Sequence, residues 1–230
     1  MFVSKHQLIG FVVLLFHIHQ STSFITVPYE SANKSGGLML FDFTETPSLD
    51  NWTEVIDDSL GIWGGKSASS KFYLFKEPYL INRAILLTAL NGTAFAGART
   101  NCQFDLSPYD KLIVYANGQG TNKAYKIILH HNGQHDSSYP GYEQIFFVPP
   151  DELLQLYEIP LAGFQPYYRE RHVPLAPPLN LANITQFALH VTDKKGGAIG
   201  YGGDERYYDR KLKRTGMSRL EIDWIKADKY

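Results

Sequence analysis

Cysteine is almost absent from this chain, and its one thiol belongs to Cys102. A single cysteine excludes any disulfide within the chain. Because free cysteine is among the residue types that are most often buried, we expect Cys102 to be a small buried residue. The hydrophobic content of 44% is sufficient for a folded core without covalent crosslinks.

The chain also lacks an excess of charge of either sign. It carries 22 lysine and arginine residues against 23 aspartate and glutamate residues, for a formal net charge of −1. A general nucleic-acid binder would carry a basic excess, so we predict no nucleic-acid partner.

Sequence signatures of catalysis and of cofactors are missing. Ser59 lacks the Gly-x-Ser-x-Gly frame of a nucleophile elbow, and no other nucleophile has an obvious base beside it. The glycine-rich stretch at 61–65 fits neither a phosphate loop nor a dinucleotide fingerprint, although an anion-binding nest is conceivable there. We therefore predict a protein that is not an enzyme, has no catalytic residue and needs no cofactor.

A metal site is also not expected. His130, His131, His135 and Asp136 lie close together in the sequence, and a hard-ligand site is conceivable. However, zinc requires three or four converging ligands, and adjacent residues in a strand point to opposite faces. A polar loop without metal is the favoured interpretation.

The hydrophobic run nearest the N-terminus, Leu8 to Phe16, is too short to span a bilayer comfortably. Lys5 precedes it and Ser21-Thr22-Ser23 follow it, which is the layout of a secretory signal peptide. We predict a signal peptide over 1–23, an N-terminal extension over 24–37, and no stable membrane span after cleavage. An uncleaved signal anchor is the main alternative for this segment.

Four N-glycosylation sequons also favour the secretory pathway. Asn33, Asn51, Asn91 and Asn183 each begin an Asn-x-Ser/Thr triplet, the acceptor pattern for N-glycosylation. Four such triplets behind a signal peptide predict a secreted or secretory-lumen glycoprotein. A mitochondrial location is the alternative, but 1–23 contain no arginine, which mitochondrial presequences use heavily.

The most regular pattern in the chain runs from Phe104 to Gly133. Leu112, Val114 and Ala116 alternate with the residues between them, which predicts a strand with one buried face. Asn117-Gly118-Gln119-Gly120 breaks this run, and a second alternation begins at Tyr125 and ends at Asn132-Gly133. Because Asn-Gly pairs favour hairpin turns, the two strands are predicted to form one hairpin.

Further short apolar runs follow the same spacing and predict strands at 38–43, 71–75, 84–90, 93–98, 143–148, 156–159, 186–191 and 220–225. Helical turns are conceivable at 151–155 and 179–185. Many short strands separated by turn residues predict an all-β protein, an antiparallel β-sandwich.

Several motifs resemble the complex I intermediate-associated protein family, the thirty-kilodalton assembly factors of NADH:ubiquinone oxidoreductase. They are Phe104-Asp-Leu-Ser-Pro-Tyr-Asp110 with Asn117-Gly-Gln-Gly120, Ile159 to Arg171, Ala176-Pro-Pro-Leu179, Ile184 to Lys194, and Leu220-Glu-Ile-Asp-Trp-Ile225. The resemblance implies a galactose-binding-like jelly-roll sandwich over 38–230. It also implies a non-enzymatic, chaperone-like assembly factor that binds a protein client, here in the secretory pathway. A secreted carbohydrate-binding, lectin-like module with a glycan partner is the alternative.

The sequence departs from the family pattern in three places. Asp57-Asp58 stands further than in the family from Gly64-Gly65-Lys66-Ser67, the family's Arg-Gly-Arg is replaced by Arg169-Glu-Arg171, and 196–217 looks like an inserted loop. Arg169 and Arg171 lie among aromatic residues and are candidates for a partner contact, or alternatively for ion pairs with buried acids such as Asp223.

Two further pairs complete the candidate binding residues. Asp57 and Asp58 precede the glycine-rich stretch, where they either cap the loop or bind through their carboxylates. Tyr207 and Tyr208 lie in the inserted loop, and tyrosine is a frequent interface residue.

Overall fold

The computed structural model describes residues 34, 36–56, 69–76, 82–91, 96–120, 124–135, 138–151, 153–168, 171–191 and 215–230. The predicted signal peptide at 1–23 and most of the predicted insertion at 196–217 lie outside these ranges; Thr215, Gly216 and Met217 belong to a strand. In the part of the chain that the structure describes, no helix is long and apolar enough to cross a membrane.

The described residues form thirteen strands, which are β1 (Leu38–Asp42), β2 (Trp52–Ile56), β3 (Ser69–Phe75), β4 (Arg83–Asn91), β5 (Ala96–Phe104), β6 (Lys111–Gly120), β7 (Ala124–His131), β8 (Gly141–Phe147), β9 (Gln155–Pro160), β10 (Gln165–Tyr168), β11 (Arg171–His172), β12 (Ile184–Val191) and β13 (Thr215–Asp228). Two single 3₁₀ turns lie between strands, Leu161–Gly163 between β9 and β10 and Leu181–Asn183 between β11 and β12.

The strands form two antiparallel sheets. The six-stranded sheet has the order β3-β4-β13-β6-β9, and β1 pairs with the end of β13 that extends beyond β4. The seven-stranded sheet has the order β11-β10-β8-β7-β12-β5-β2. The prediction of an all-β, antiparallel sandwich is therefore confirmed.

Alternating residues of both sheets fill the core. In β6, Leu112, Val114 and Ala116 are fully buried members of the core cluster, as the period-two pattern predicts. At one end of the core the aromatic rings meet directly, and Trp52 lies 4.8 Å from Phe72 and 5.0 Å from Phe41 between ring centroids. Tilted contacts of this kind add to the stabilisation that burial gives.

The predicted hairpin at 104–133 is wrong, although both of its strands exist. β6 pairs with β13 and β9 in the six-stranded sheet, whereas β7 pairs with β12 and β8 in the seven-stranded sheet. At the end of β6, Gly120 has a φ of +92°, and a Cβ atom there would lie 2.3 Å from the Met217 carbonyl oxygen. The glycine thus permits close pairing with β13, and the chain then changes sheets.

The Asn-Gly signal instead belongs to the next connection. β7 and β8 are antiparallel neighbours, and Asn132 and Gly133, with φ of +55° and +72°, begin the turn between them. Asparagine and glycine tolerate this left-handed backbone better than other residues do. Asn132-Gly133 is therefore a turn as expected, whereas Asn117-Gly-Gln-Gly120, where the predicted hairpin was to turn, lies within β6 and pairs with β13.

The remaining expectations were largely accurate. Strands occur in all eight predicted runs, while β2, β10 and β11 were not predicted. The helical turn expected within 179–185 is the 3₁₀ turn at Leu181–Asn183, but Gln155, at the end of the other expected turn, already belongs to β9. Cys102 is partly rather than fully buried, and burial raises its thiol pKa to about 12.

Candidate functional site

A cleft with a volume of about 430 Å³ opens where the outer strands of the seven-stranded sheet meet the connections around them. We call it the proline cleft, and it is lined by Tyr142, Leu161, Ala162, Phe164, Gln165, Pro166, His172, Pro174, Ala176, Pro177, Pro178, Leu179 and Leu181. Four separate parts of the chain contribute: β8, the stretch from the first 3₁₀ turn into β10, β11 with the proline-rich loop at 173–178, and the approach to β12.

Tyr142 connects the cleft to the core. Its side chain is 2% exposed, and its ring lies 5.1 Å from the ring of His131. Its hydroxyl group donates a hydrogen bond to the carbonyl oxygen of Pro177, in the facing loop. A rigid core residue therefore holds the proline-rich loop in place.

Backbone hydrogen bonds fix that loop further. The Val173 amide donates to the Pro166 carbonyl at 2.9 Å, and the Ala176 amide donates to the Val173 carbonyl at 3.0 Å. Pro174, Pro177 and Pro178 have no amide hydrogen to donate. The loop consequently presents an apolar wall with few hydrogen-bond donors left for a ligand.

The opposite wall begins at the 3₁₀ turn Leu161–Gly163. The Leu161 amide donates to the Asp110 carbonyl at 2.8 Å, and both Leu161 and Phe164 are buried. Between them, Ala162 is exposed and lines the cleft. Its small side chain leaves the cleft open on this side.

His172 lines the cleft from the edge strand β11. Both residues of that strand, Arg171 and His172, are exposed, and the His172 ring lies 5.4 Å from the ring of Tyr167. Leu175, in the proline-rich loop, is 96% exposed. None of the lining residues is acidic.

A second arrangement lies on the outer face of the six-stranded sheet. The carboxylate of Glu221 pairs with Arg219 at 2.6 Å and Arg83 at 3.2 Å, and accepts hydrogen bonds from the amides of Asn117 and Gln119 at 3.2 and 3.3 Å. We call these five residues and Asp223 the polar patch. The patch joins three neighbouring strands, β4, β13 and β6. Because Glu221 and Asp223 are buried, the loss of one of their charged partners would destabilise the fold.

Aromatic rings lie beside the polar patch. Tyr115 stacks on Trp224, with ring centroids 5.3 Å apart, and the cation of Arg219 lies 5.7 Å from the ring of Phe75. Tyr115 and Phe75 are partly exposed. Hydrogen-bonding groups next to aromatic faces can bind small polar molecules such as sugars.

The candidate binding residues from the sequence fall mostly outside the described ranges. Asp57, Asp58, Arg169, Tyr207 and Tyr208 all do so. Arg171 is described and is exposed in β11 next to His172, but it is not among the residues that line the proline cleft.

Asp223 was a conceivable partner for the two arginines. In the structure it forms an ion pair with Arg83 Nε at 2.9 Å, while Arg171 is exposed in β11, which belongs to the other sheet. The alternative of a buried Arg171–Asp223 pair is therefore wrong.

The histidines do not converge. His131 is buried and accepts a hydrogen bond from the Asn180 amide through Nδ1, whereas the Nε2 atom of His135 lies 2.7 Å from the Thr185 hydroxyl group. Burial lowers the pKa of His130 and of His131. Asp136 lies outside the described residues, among which no group of three or more His, Cys, Asp and Glu residues could hold a metal ion.

Two predicted glycosylation sites have described side chains. Asn51 is exposed in the turn before β2, whereas the Asn183 side chain donates to Asn132 at 3.0 Å and accepts from Gln103 at 2.7 Å. Asn33 and the side chain of Asn91 lie outside the described residues.

The sequence analysis missed both surfaces. The proline cleft had a local signal in the spacing of Pro174, Pro177 and Pro178, which marks a rigid loop. The polar patch had one in Arg219, Glu221 and Asp223, where charged residues alternate with apolar ones along a buried strand.

A family model described as Complex I intermediate-associated protein 30 (CIA30) matches residues 41–200. The chain belongs to the CIA30 family. The match includes almost the whole of the seven-stranded sheet and every residue that lines the proline cleft. A search of the curated proteins found no match.

Two solved structures with a similar fold are carbohydrate-binding modules. The family 11 module from Clostridium thermocellum in complex with a β-1,3-1,4-mixed-linked tetrasaccharide is 17% identical to this CIA30 chain, with a TM-score of 0.54 over 84% of the chain and 96% of the module. The family 11 module of a cellulosomal cellulase from the same organism is 16% identical, with a TM-score of 0.53 over 85% and 96%. These likenesses show the jelly-roll fold.

Proposed function

We propose that this CIA30 chain is a non-enzymatic assembly factor that binds a protein client through the proline cleft. The observation that carries the proposal is the position of the family motifs. The segments Ile159 to Arg171 and Ala176 to Leu179, on which the family resemblance rests, supply most of the residues around the cleft.

The shape of the cleft favours binding. Its volume lies within the roughly 300–1,000 Å³ typical of ligand sites, most of its lining residues have apolar side chains, and a hydrogen bond to the core holds one wall. A preformed apolar cleft binds apolar side chains without a large ordering cost. The name of the CIA30 family refers to a protein that associates with an intermediate of complex I. By analogy, the client is an incompletely assembled protein that exposes such side chains.

We propose further that the client is a secretory-pathway protein, because a signal-peptide pattern and four sequons accompany the domain. Expression of the full chain in animal cells, followed by fractionation and glycosidase treatment, tests this point. A glycosylated product in the medium or lumen is expected. An unglycosylated product within mitochondria would place the client in complex I assembly instead.

Two matched substitutions test the role of the cleft. Ala162 and Ala182 are both exposed and each is the middle residue of a 3₁₀ turn, but only Ala162 lines the cleft. Ala162→Trp is expected to fill the cleft and to remove the proteins that crosslink to the full chain in cells. Ala182→Trp is expected to retain them.

Identical crosslinked proteins for both variants would overturn the proposal. Thermal unfolding of the two variants provides the control for folding. Similar midpoints ensure that a loss of partners reflects the filled cleft rather than a damaged domain.

Carbohydrate binding is a second candidate function, and the polar patch with its bordering aromatic rings favours it. Gln119→Ala removes one amide at the patch, while Gln165→Ala removes one at the proline cleft. Screening the full chain on a glycan array with both variants tests the idea. Glycan binding that is lost in Gln119→Ala and kept in Gln165→Ala supports it, and the absence of glycan binding contradicts it.

A further inference from the structure

The proline cleft carries an inference about the backbone of its partner, and this inference rests on the proposed function. We propose that the cleft binds a proline-rich client segment in the extended polyproline II conformation. Its apolar lining contacts the proline rings, and the side chains of Gln165 and His172 donate hydrogen bonds to carbonyl oxygens of the segment. The support comes from the acceptors that the cleft lacks and from the donors that it has.

The cleft offers few acceptors for the amide hydrogens of a bound segment. None of its lining residues is aspartate or glutamate. The carbonyl oxygens of Leu161, Pro166 and Pro177 already accept hydrogen bonds within the protein. A segment with an amide hydrogen on every residue would therefore bury donors that find no acceptor, which is costly. Proline has no amide hydrogen, so a segment rich in proline avoids this cost.

Two side chains of the lining have unused hydrogen-bonding groups. Gln165 and His172 are exposed, and neither side chain forms a hydrogen bond with any residue that the structure describes. The glutamine amide has two N–H donors, and a neutral imidazole ring has one in either tautomer. Tyr167 pairs with His172, and Gln165 lies two positions before Tyr167 in β10, so all three side chains point to one face of the sheet. The two donors thus lie on the same side of the cleft.

The polyproline II conformation suits this arrangement. Its backbone has no internal hydrogen bonds, so its carbonyl groups are free to accept from Gln165 and His172. Its proline rings pack on apolar surfaces, which are provided here by Phe164, Pro174 and Leu179. Since proline restricts the unbound segment to nearly the same conformation, little conformational entropy is lost on binding.

Two synthetic peptides test the inference with the full chain. Both are fluorescent eight-residue peptides with leucine at the first, fourth and seventh positions. The other positions are proline in one peptide and alanine in the second. Binding is measured by fluorescence anisotropy. We expect the proline peptide to bind about tenfold more tightly, because the alanine peptide must bury amide hydrogens and lose conformational freedom.

Variants assign the carbonyl contacts to the two side chains. His172→Phe keeps an aromatic ring and removes its N–H group, and Gln165→Met keeps the length of the side chain and removes the amide group. Each is expected to weaken binding of the proline peptide about fivefold, which is the effect of losing one hydrogen bond. Tyr139→Phe removes the hydroxyl group of an exposed ring that does not line the cleft, and is expected to leave binding unchanged.

The outcomes separate the inference from the proposed function. Equal binding of the two peptides, or binding that neither His172→Phe nor Gln165→Met weakens, would overturn the inference. The proposed function would stand in that case if Ala162→Trp still removed the crosslinked cellular proteins. Failure of both peptides to bind would also overturn the inference, and the proposed function would fail with it if Ala162→Trp left those proteins unchanged.

Discussion

The hydroxyl group of Tyr142 donates a hydrogen bond to the carbonyl oxygen of Pro177, 35 residues further along the chain. The bond joins a buried strand of the sandwich to the exposed loop that forms one wall of the proline cleft. It explains how a loop with little regular structure keeps an open, ordered cleft. The stability of the domain and the shape of the candidate site are therefore coupled at this residue.

The first prediction concerns this bond. Tyr142→Phe removes the donor and leaves the Pro177 carbonyl without it, so the free energy of unfolding is expected to fall by about 1 kcal/mol. Urea unfolding measures the change. Tyr125→Phe is the control, because the Tyr125 hydroxyl group is buried without a hydrogen-bond partner among the described residues, and its removal should cost little or nothing. A loss in Tyr125→Phe as large as in Tyr142→Phe would contradict this reasoning.

The second prediction concerns the polar patch. Glu221→Ala leaves Arg83 and Arg219 without their shared carboxylate, and a loss of about 2 to 3 kcal/mol is expected. This lies below the usual cost of breaking a fully buried pair, because both arginines are partly exposed. Glu158→Ala, at a carboxylate that is 54% exposed, should change the urea midpoint little. Equal effects of the two substitutions would show that the patch does not stabilise the fold.

The third prediction concerns the stability of the fold at acidic pH. Burial, with help from the charges of Lys126 and Arg99, lowers the pKa of His190 to about 3. An unfolded histidine has a pKa of about 6.5, so below that pH the unfolded chain binds a proton that the folded chain does not. Stability should therefore fall as the pH falls from about 6.5 towards 3, by up to about 1.4 kcal/mol per pH unit.

Urea unfolding between pH 7 and pH 5 measures this slope before most carboxylates titrate. His190→Gln should reduce it and leave the part that His130 and His131 contribute, because burial lowers the pKa of those two histidines as well. His172→Gln, at an exposed ring, should leave it unchanged. A slope that is the same in all three proteins would exclude His190 as its source.

The fourth prediction concerns the chemical reactivity of the Cys102 thiol. Because burial raises the pKa of Cys102 to about 12, very little thiolate exists at pH 8, and the thiolate is the reactive form. Iodoacetamide should therefore modify the native chain far more slowly than the chain in urea, as followed by mass spectrometry. Equal rates in the two conditions would mean that the sulfur is open to solvent.

The strands were predictable from the sequence because each depends on a local pattern. Leu112, Val114 and Ala116 specify a buried face wherever β6 is placed. The pairing of β6 was not predictable in the same way. Whether its partner is the next strand or one that lies a hundred residues later depends on the layers of the sandwich, which a local alternation does not encode.

The candidate site was less predictable for the same reason. Arg83 and Asp223 are 140 positions apart and meet because β4 and β13 are neighbours in one sheet. The proline cleft likewise combines Tyr142, Ala162 and Pro177 from separate segments. The sequence analysis named Arg171 from its local composition alone, and the structure places it in β11 next to His172, which lines the cleft.

The central claim is that a client occupies the proline cleft, and photo-crosslinking tests it most directly. A benzoylphenylalanine residue in place of Gln165, an exposed residue that lines the cleft, puts the reactive group at the cleft without adding a large side chain at Ala162, whereas the same residue in place of Ala182 puts it at a position that does not line the cleft. After irradiation of cells that express each full chain, we expect one crosslinked client for the Gln165 position and none for the Ala182 position. The same crosslinks at both positions, or none at Gln165, would contradict the account.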